Sequence, residues 1–175
     1  MPESESTPVS TTTGPILTGV PDCPPQLPEL GEPSPGSLAY SLTLPAGLAG
    51  PAVAWEVAEL VLDVHEMEGL IDPALVVVRE LVAYACRFSG DGADVHLALR
   101  QRADTLHISV YDTHAVHPLP RLAALCEERR RAALPRTPDV VAAYRGTWGF
   151  HAAQCPRAGT WTWATLVHSR RSWAA

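Results

Sequence analysis

One amphipathic segment in the middle of the chain most constrains the fold. Asp72-Pro73 predicts a helix start, because Asp accepts hydrogen bonds from free N–H groups of the first turn and Pro fits the first helical position. Ser89-Gly90-Asp91-Gly92 predicts its end. Apolar residues recur between them at intervals of three and four: Leu75, Val78, Val82 and Ala85. This stripe predicts a helix that packs on a sheet, with Glu80 and Tyr84 on a different face.

Alternating apolar residues predict the strands of that sheet. They cover residues 38–44, 95–99, 106–110 and 160–168. A helix is predicted from Pro51 to Gly69 on the spacing of Val53, Val57, Leu60, Val61 and Val64, and residues 145–151 predict another turn-to-helix unit. The order is β-α-α-β-β, then a long segment after Asp112 with little strand character, and then α-β. This order predicts an α+β fold, a two-layer sandwich with a mixed, mostly antiparallel sheet and helices on one face.

Composition divides the chain and narrows its function. Residues 1–36 are rich in Pro, Ser, Thr and Glu and predict a disordered tail, before a domain over 37–169 and a C-terminal tail over 170–175. The absence of Lys and Asn suggests a GC-rich bacterial genome. A net charge of −6 argues against direct nucleic-acid binding, and Arg129-Arg130-Arg131 is interpreted as a solvated helix face.

Cysteine usage and hydropathy indicate the compartment. The four Cys are widely spaced without a CxxC pair, and the N-terminus has no basic-then-apolar signal. No apolar run approaches the roughly 20 residues needed to span a bilayer. We therefore expect a cytoplasmic protein with reduced cysteines and no membrane partner.

Three motifs carry a resemblance to a known family. They are Glu80-Leu81-Val82 with Arg87-Phe88-Ser89, Asp112 after a strand, and the last strand at Gly159-Thr160 and Trp163 together with the glycines Gly146 and Gly149. Over residues 38–168 the chain resembles the ATP-binding fold shared by gyrase, the heat-shock chaperone and histidine kinases. More narrowly, it resembles the small anti-sigma factors that are also serine kinases of Gram-positive partner-switching systems.

The resemblance implies a role for each matched residue. Glu80 falls on the Glu that polarises the attacking group, and Asp112 falls on the Asp that accepts a hydrogen bond from the adenine amino group. Gly146 and Gly149 fall near the turn whose backbone N–H groups hold phosphates at a helix N-terminus. Thr160 belongs to the matched last strand. The resemblance further implies a sigma factor or an anti-anti-sigma protein as partner, and a possible homodimer through the first strand.

Departures from the family pattern affect phosphate handling. Tyr84 replaces the Asn that helps to hold Mg²⁺, and a phenol is a poor Mg²⁺ ligand at neutral pH. No Gly occurs at residues 113–117, after Asp112, and no Lys is available for the γ-phosphate, for which Arg145 substitutes only in part. We therefore predict an anti-sigma-like regulator with a degenerate nucleotide site, no phosphotransfer and no bound cofactor.

Two other functions stay open at this point. An active ATP-dependent serine kinase would use Glu80 as the base, Asp112 for adenine and Mg²⁺ on the phosphates. A small-ligand sensor would use the old nucleotide pocket for a different molecule. Binding of Mg-ATP separates the kinase from both non-catalytic alternatives.

Each candidate residue also has a purely structural interpretation. Glu80 can hydrogen-bond the phenol of Tyr84, and Asp112 can cap the turn that follows its strand. His114-x-x-His117 with Cys126 matches no recognised zinc spacing, so we predict no metal site and interpret both His as exposed.

Two surfaces are candidate protein interfaces. The helix over 51–69 carries an acidic side that suits a basic partner: Trp55, Glu56, Glu59, Asp63, Glu66 and Glu68. Trp161 and Trp163 share one strand face and either form an interface or pack internally.

Overall fold

The computed structural model describes residues 32–90, 92–153 and 158–168. The predicted C-terminal tail and most of the predicted N-terminal tail lie outside these residues. The strands are β1 (Ala39–Pro45), β2 (Asp94–Arg102), β3 (Thr105–Asp112), β4 (Trp148–Ala152) and β5 (Thr160–Val167). The helices are α1 (Gly50–Val64), α2 (Ile71–Phe88), α3 (Pro120–Ala132) and α4 (Thr137–Ala143).

The five strands form one sheet in the order β1-β2-β3-β5-β4. Every neighbouring pair is antiparallel. Helix α2 packs on one face of the sheet, and α1 and α4 contact α2. The predicted α+β two-layer fold is therefore confirmed.

Helix α2 buries the stripe that its sequence predicted. Leu75, Val78, Val82 and Ala85 are all buried. They meet the inward side chains of the three central strands: Val95, Leu97, Leu99, Leu106, Ile108, Val110, Ala164 and Leu166. Because side chains on a strand alternate between faces, a slip of one residue would expose this entire set.

Helix α1 forms in the predicted region, but it ends at Val64 instead of near Gly69, and a short 3-10 turn at Glu68–Leu70 follows it. It also buries a different face. Val53, Leu60 and Val64 remain 43%, 63% and 44% exposed. The buried face consists of Ala54, Ala58, Val61 and Leu62. Ala54 and Ala58 are small, so this face lets α1 approach α2 closely.

The predicted turn-to-helix unit at residues 145–151 is wrong, because a helix ends there and a strand begins. Arg145 has a φ of 51°, in the left-handed region, and the Gly146 N–H donates to the Val141 carbonyl at 2.9 Å, which closes α4. Strand β4 then pairs with β5 along its free edge. A Cβ at Gly146 would collide with the Thr165 carbonyl, so only glycine permits this approach.

No helix in the described part of the chain combines the length and apolar character needed to cross a membrane.

Candidate functional site

An ion pair occupies the place where the family resemblance puts adenine. Arg130 Nη1 donates to Asp112 Oδ2 at 3.0 Å, and Arg130 Nη2 lies 3.4 Å from Asp112 Oδ1. Asp112 is 0% exposed and Arg130 is 5% exposed. The carboxylate that would receive a nucleotide base is therefore already bound by a cation from the same chain.

Aromatic rings enclose the Arg130 guanidinium. Its central carbon lies 5.2 Å from the ring centres of Tyr84 and Phe88, and 5.9 Å from that of Phe150. Cations are attracted to the faces of such rings, and the attraction grows when water is excluded. The interpretation of Arg129-Arg130-Arg131 as a solvated face is thus wrong for Arg130. Helix α3 turns this residue inward onto Asp112, because a buried carboxylate requires a counter-charge.

Burial also changes the proton affinities of this pair. Desolvation raises the pKa of Asp112 from 3.8 to about 7, against a smaller lowering by its hydrogen bond from the His114 backbone. Desolvation lowers the pKa of Arg130 to about 10. Both shifts follow from the cost of keeping a charge away from water.

Tyr84 lies in the core of this region. Its side chain is 1% exposed, and its ring centre is 4.6 Å from that of Phe88. Its hydroxyl has no hydrogen-bond partner among the described residues. The phenol therefore fills space at the predicted magnesium position and contributes packing there.

Glu80 caps the start of α4. Its carboxylate accepts hydrogen bonds from the backbone N–H of Arg136 at 3.1 Å and of Thr137 at 2.9 Å, and from the Thr137 hydroxyl at 2.9 Å. The expected hydrogen bond to the Tyr84 phenol is wrong, because α4 presents free N–H groups that bind a carboxylate better. The predicted general base is thus engaged in a structural contact.

Thr160 and Asp112 fix the backbone at His114. These two residues are cross-strand partners on β5 and β3. Thr160 Oγ1 donates to the His114 carbonyl at 2.7 Å, and the His114 N–H donates to Asp112 Oδ1 at 2.9 Å. The second contact is the turn cap that the structural interpretation of Asp112 predicted. A third bond, from Arg130 Nη2 to the His114 carbonyl at 3.3 Å, completes the anchor.

The two glycines predicted to hold phosphate serve the sheet instead. Gly146 precedes β4, as described above, and Gly149 lies within β4 opposite Trp163. A Cβ at Gly149 would lie 3.3 Å from the Trp163 ring, so the indole covers the glycine. Neither glycine is at a helix N-terminus, which removes the geometric basis for a phosphate cradle.

The structure brings together three side chains that sequence spacing did not. His114 Nε2 lies 3.2 Å from His117 Nε2 and 3.4 Å from Cys126 Sγ. Both His are half-buried, contrary to the expectation of exposed side chains. Burial lowers the pKa of His114, and His117 lowers it further. Burial, with the Asp112 charge, raises the pKa of the Cys126 thiol.

A cavity of about 390 Å³ adjoins this cluster. His117, Cys126, Arg130 and Thr160 contribute to its wall, and β4 lines the opposite side through residues 149–152. This volume falls within the roughly 300–1,000 Å³ of small-ligand sites.

A second, separate region presents apolar side chains to solvent. Val53, Leu60 and Val64 are exposed on α1, and Tyr40 on β1 is 46% exposed. The Tyr40 hydroxyl lies 2.9 Å from His65 Nε2, so its ring stands beside the end of α1. Strand β1 forms one edge of the described sheet. We refer to Tyr40, Val53, Leu60 and Val64 as the α1 edge surface.

An acidic row borders this surface. Glu56, Glu59 and Asp63 are all exposed. At 100° per residue, they lie beside the α1 apolar row on the side away from the buried alanines. The predicted acidic side of α1 is therefore present at these three residues, whereas Glu66 and Glu68 lie beyond the end of the helix. It lies next to an apolar row that was expected in the core.

Sequence reasoning missed Arg130, the partner of Asp112 in the buried ion pair. The available signal was an Asp with strand character on its N-terminal side, which predicts a buried carboxylate and hence a cation nearby. Choosing among three consecutive Arg required the orientation of α3.

Neither a scan of the chain against protein-family models nor a search of curated proteins gives a match.

Proposed function

We propose that this protein is an anti-sigma-like regulator that binds a sigma factor or an anti-anti-sigma protein without nucleotide. The observation that carries the proposal is the Arg130–Asp112 ion pair. A nucleotide base that formed a hydrogen bond with Asp112 would have to displace the buried Arg130 side chain from the carboxylate and from the surrounding aromatic rings. Displacing one partner of a buried pair costs about 3–5 kcal/mol, which adenine contacts would have to offset.

The binding surface that we assign to the partner is the α1 edge surface. Its exposed apolar side chains and bordering carboxylates suit a partner helix or loop that combines apolar and basic residues. Charge complementarity of this kind raises association rates and favours the basic, DNA-binding face of a sigma factor. The proposal places the protein in the cytoplasm, where sigma factors act, and involves no direct contact with nucleic acid.

The partner proposal is tested with purified sigma factors and anti-anti-sigma proteins of the source organism. We expect at least one to bind, and Leu60→Asp and Val53→Asp to weaken that binding by more than about tenfold, since central apolar contacts carry most interface energy. Leu119→Asp, at an exposed apolar residue before α3, is the matched control. Equal losses in Leu60→Asp and Leu119→Asp would refute the assigned surface.

A homodimer through the same surface is the competing arrangement. Sedimentation of the wild-type protein at several concentrations distinguishes it from partner binding. A dimer that Leu60→Asp dissociates, together with no affinity for either partner class, would replace the regulator proposal with self-association.

The absence of nucleotide binding has its own test. We expect no change in thermal stability with millimolar Mg-ATP or Mg-ADP. Saturation at one hundred times Kd would add about 2.7 kcal/mol, a shift of a few degrees. Such a shift would support the kinase alternative and make Glu80 and Asp112 the first residues to replace.

The cavity of about 390 Å³ favours one second candidate, a small-ligand sensor. Arg130, Arg131 and His151 line it together with Glu127, which pairs with Arg131, so the two guanidinium groups outnumber the carboxylate in its wall. An anionic metabolite is therefore the class of ligand that it would suit. Stabilisation by a small anion, retained after Leu60→Asp, would support the sensor over the partner-binding regulator.

A further inference from the structure

The side chains of His114, His117 and Cys126 converge on one point. Their donor atoms all lie within 4.8 Å of one another. His114 Nε2 faces two of these partners, His117 Nε2 at 3.2 Å and Cys126 Sγ at 3.4 Å. An imidazole nitrogen offers one proton or one lone pair, so it satisfies only one such neighbour well by hydrogen bonding. A cation at the centre satisfies all three donors together.

The two distances from His114 Nε2 match the edges of a tetrahedral metal site. With Zn–N bonds of about 2.05 Å and Zn–S bonds of about 2.3 Å, tetrahedral angles place two nitrogens roughly 3.3 Å apart and nitrogen and sulfur roughly 3.6 Å apart. The observed separations, 3.2 Å and 3.4 Å, lie close to these edges. Two imidazoles and a thiolate are the ligands that Zn²⁺ and similar borderline transition metals prefer.

The surroundings provide both space and rigidity. All three donors line a cavity of about 160 Å³, large enough for an ion. The His114 backbone is held by Asp112, Arg130 and Thr160, so its ring starts from a fixed position. The His114 ring also contacts Phe88, with centres 5.8 Å apart and planes nearly perpendicular. Pre-orientation of this kind strengthens metal binding.

We propose that His114, His117 and Cys126 form a binding site for Zn²⁺ with three protein ligands. Cys126 binds as the thiolate and its proton leaves to solvent as the metal enters. His117 and Cys126 also line the adjoining cavity of about 390 Å³, so the fourth coordination position is available to water or an exchangeable ligand on that side. The site joins α3 to the loop after β3.

The test uses the tag-free full chain and Co²⁺ as a spectroscopic substitute for Zn²⁺. We expect one Co²⁺ per chain, with a thiolate-to-metal charge-transfer band and intense visible bands typical of tetrahedral coordination. Zn²⁺ should displace it. His114→Ala, His117→Ala and Cys126→Ser should each weaken binding by more than about 100-fold, exceeding the usual effect of losing a supporting contact.

Matched controls separate this site from other His and thiol groups. His107→Ala removes an exposed imidazole on β3, and Cys86→Ser removes a half-buried thiol on α2. Both should retain the cobalt spectrum and the affinity. A spectrum without thiolate bands in the wild-type protein would overturn the proposal, as would unchanged affinity in His117→Ala and Cys126→Ser.

A measurement on the wild-type protein covers the case in which a variant fails to fold. Zn²⁺ should slow alkylation of Cys126 by more than about tenfold, because a coordinated thiolate is shielded from the reagent, and leave Cys86 unaffected. Mass spectrometry assigns the modified residue. Equal alkylation rates of Cys126 with and without Zn²⁺ would overturn the proposal.

Discussion

Around Arg130, a guanidinium, a carboxylate and the rings of Tyr84, Phe88 and Phe150 fill the space between α2, α3 and the sheet. Along α1, aliphatic side chains and a row of carboxylates face solvent. The first region encloses its charges among aromatic rings, whereas the second leaves apolar side chains exposed to solvent. The difference shows that helical periodicity marks a helix without deciding which of its faces becomes core.

The largest expected effect comes from breaking the enclosed pair. Arg130→Met leaves the Asp112 carboxylate buried without a cation and should lower the free energy of unfolding by about 3–5 kcal/mol. Arg131→Met is the matched control, since the Arg131–Glu127 pair is more than half exposed and should cost less than about 1 kcal/mol. Urea denaturation measures both. Equal losses would show that the pair at Asp112 is no more important than a surface pair.

The same variant should acquire a distinctive pH dependence. Because burial raises the pKa of Asp112 from 3.8 to about 7, the stability that this group contributes is fully present below pH 3.8 and is lost as the pH rises through about 7. Removing the Arg130 charge favours the protonated carboxyl further. The deficit of Arg130→Met should therefore widen as the pH rises above about 7. A deficit that does not change with pH would contradict ionisation of Asp112 as its cause.

A smaller loss is expected at Tyr84. Tyr84→Asn removes a buried ring from beneath the guanidinium and should cost about 3 kcal/mol, without restoring binding of Mg-ATP, since Arg130 still occupies Asp112. Tyr84→Phe keeps the ring and removes an unpartnered hydroxyl, so stability should rise by about 1 kcal/mol. Thermal unfolding and nucleotide titration measure both variants. Recovery of nucleotide binding in Tyr84→Asn would make Tyr84 the main obstacle.

On the buried face of α1, the test is to add volume instead of removing it. Ala58→Leu adds volume on its buried face and should destabilise the protein by about 1–3 kcal/mol through overpacking against α2. A neutral result would mean that the α1–α2 contact is loose enough to accept the longer side chain. Calorimetry of the variant and the wild type decides between these outcomes.

The smallest effect on folding is expected on the exposed side of α1. Leu60→Asp should change the free energy of unfolding by no more than about 0.5 kcal/mol, because the side chain is 63% exposed. Its value lies in the contrast with its proposed effect on partner binding. A large loss of stability in this variant would mean that Leu60 packs against the fold.

Strong periodic patterns predicted most of the fold. Asp72-Pro73 and the α2 stripe predicted a buried helix, and alternating residues predicted the β2–β3 hairpin, the strand at Leu38–Leu44 and the last strand. The edge strand β4 was missed. Its five residues have one glycine between two aromatic residues, and they show no alternation of apolar and polar residues that would distinguish a strand from a turn. Short segments take their conformation from a neighbour, here the free edge of β5.

The candidate site was less predictable than the fold. Asp112 and Thr160, two candidates from the family resemblance, are cross-strand partners. By contrast, Glu80 accepts hydrogen bonds at the start of α4, and Gly146 packs against the backbone of β5. Their contacts depend on which backbone N–H groups and carbonyls other elements leave free. That information is absent from the local sequence.

Local sequence determined that α1 and α2 are helices and which strands alternate, because both depend on short-range backbone interactions. Composition alone determined that no Asn is present as a magnesium ligand. Tertiary structure alone decided that Arg130 pairs with Asp112, that α1 buries its alanines, and that His114, His117 and Cys126 meet. The reason is physical. Helix and strand periods are set by hydrogen bonds within a few residues, whereas a buried charge or a cluster of donors depends on side chains that distant elements bring into the same few ångströms.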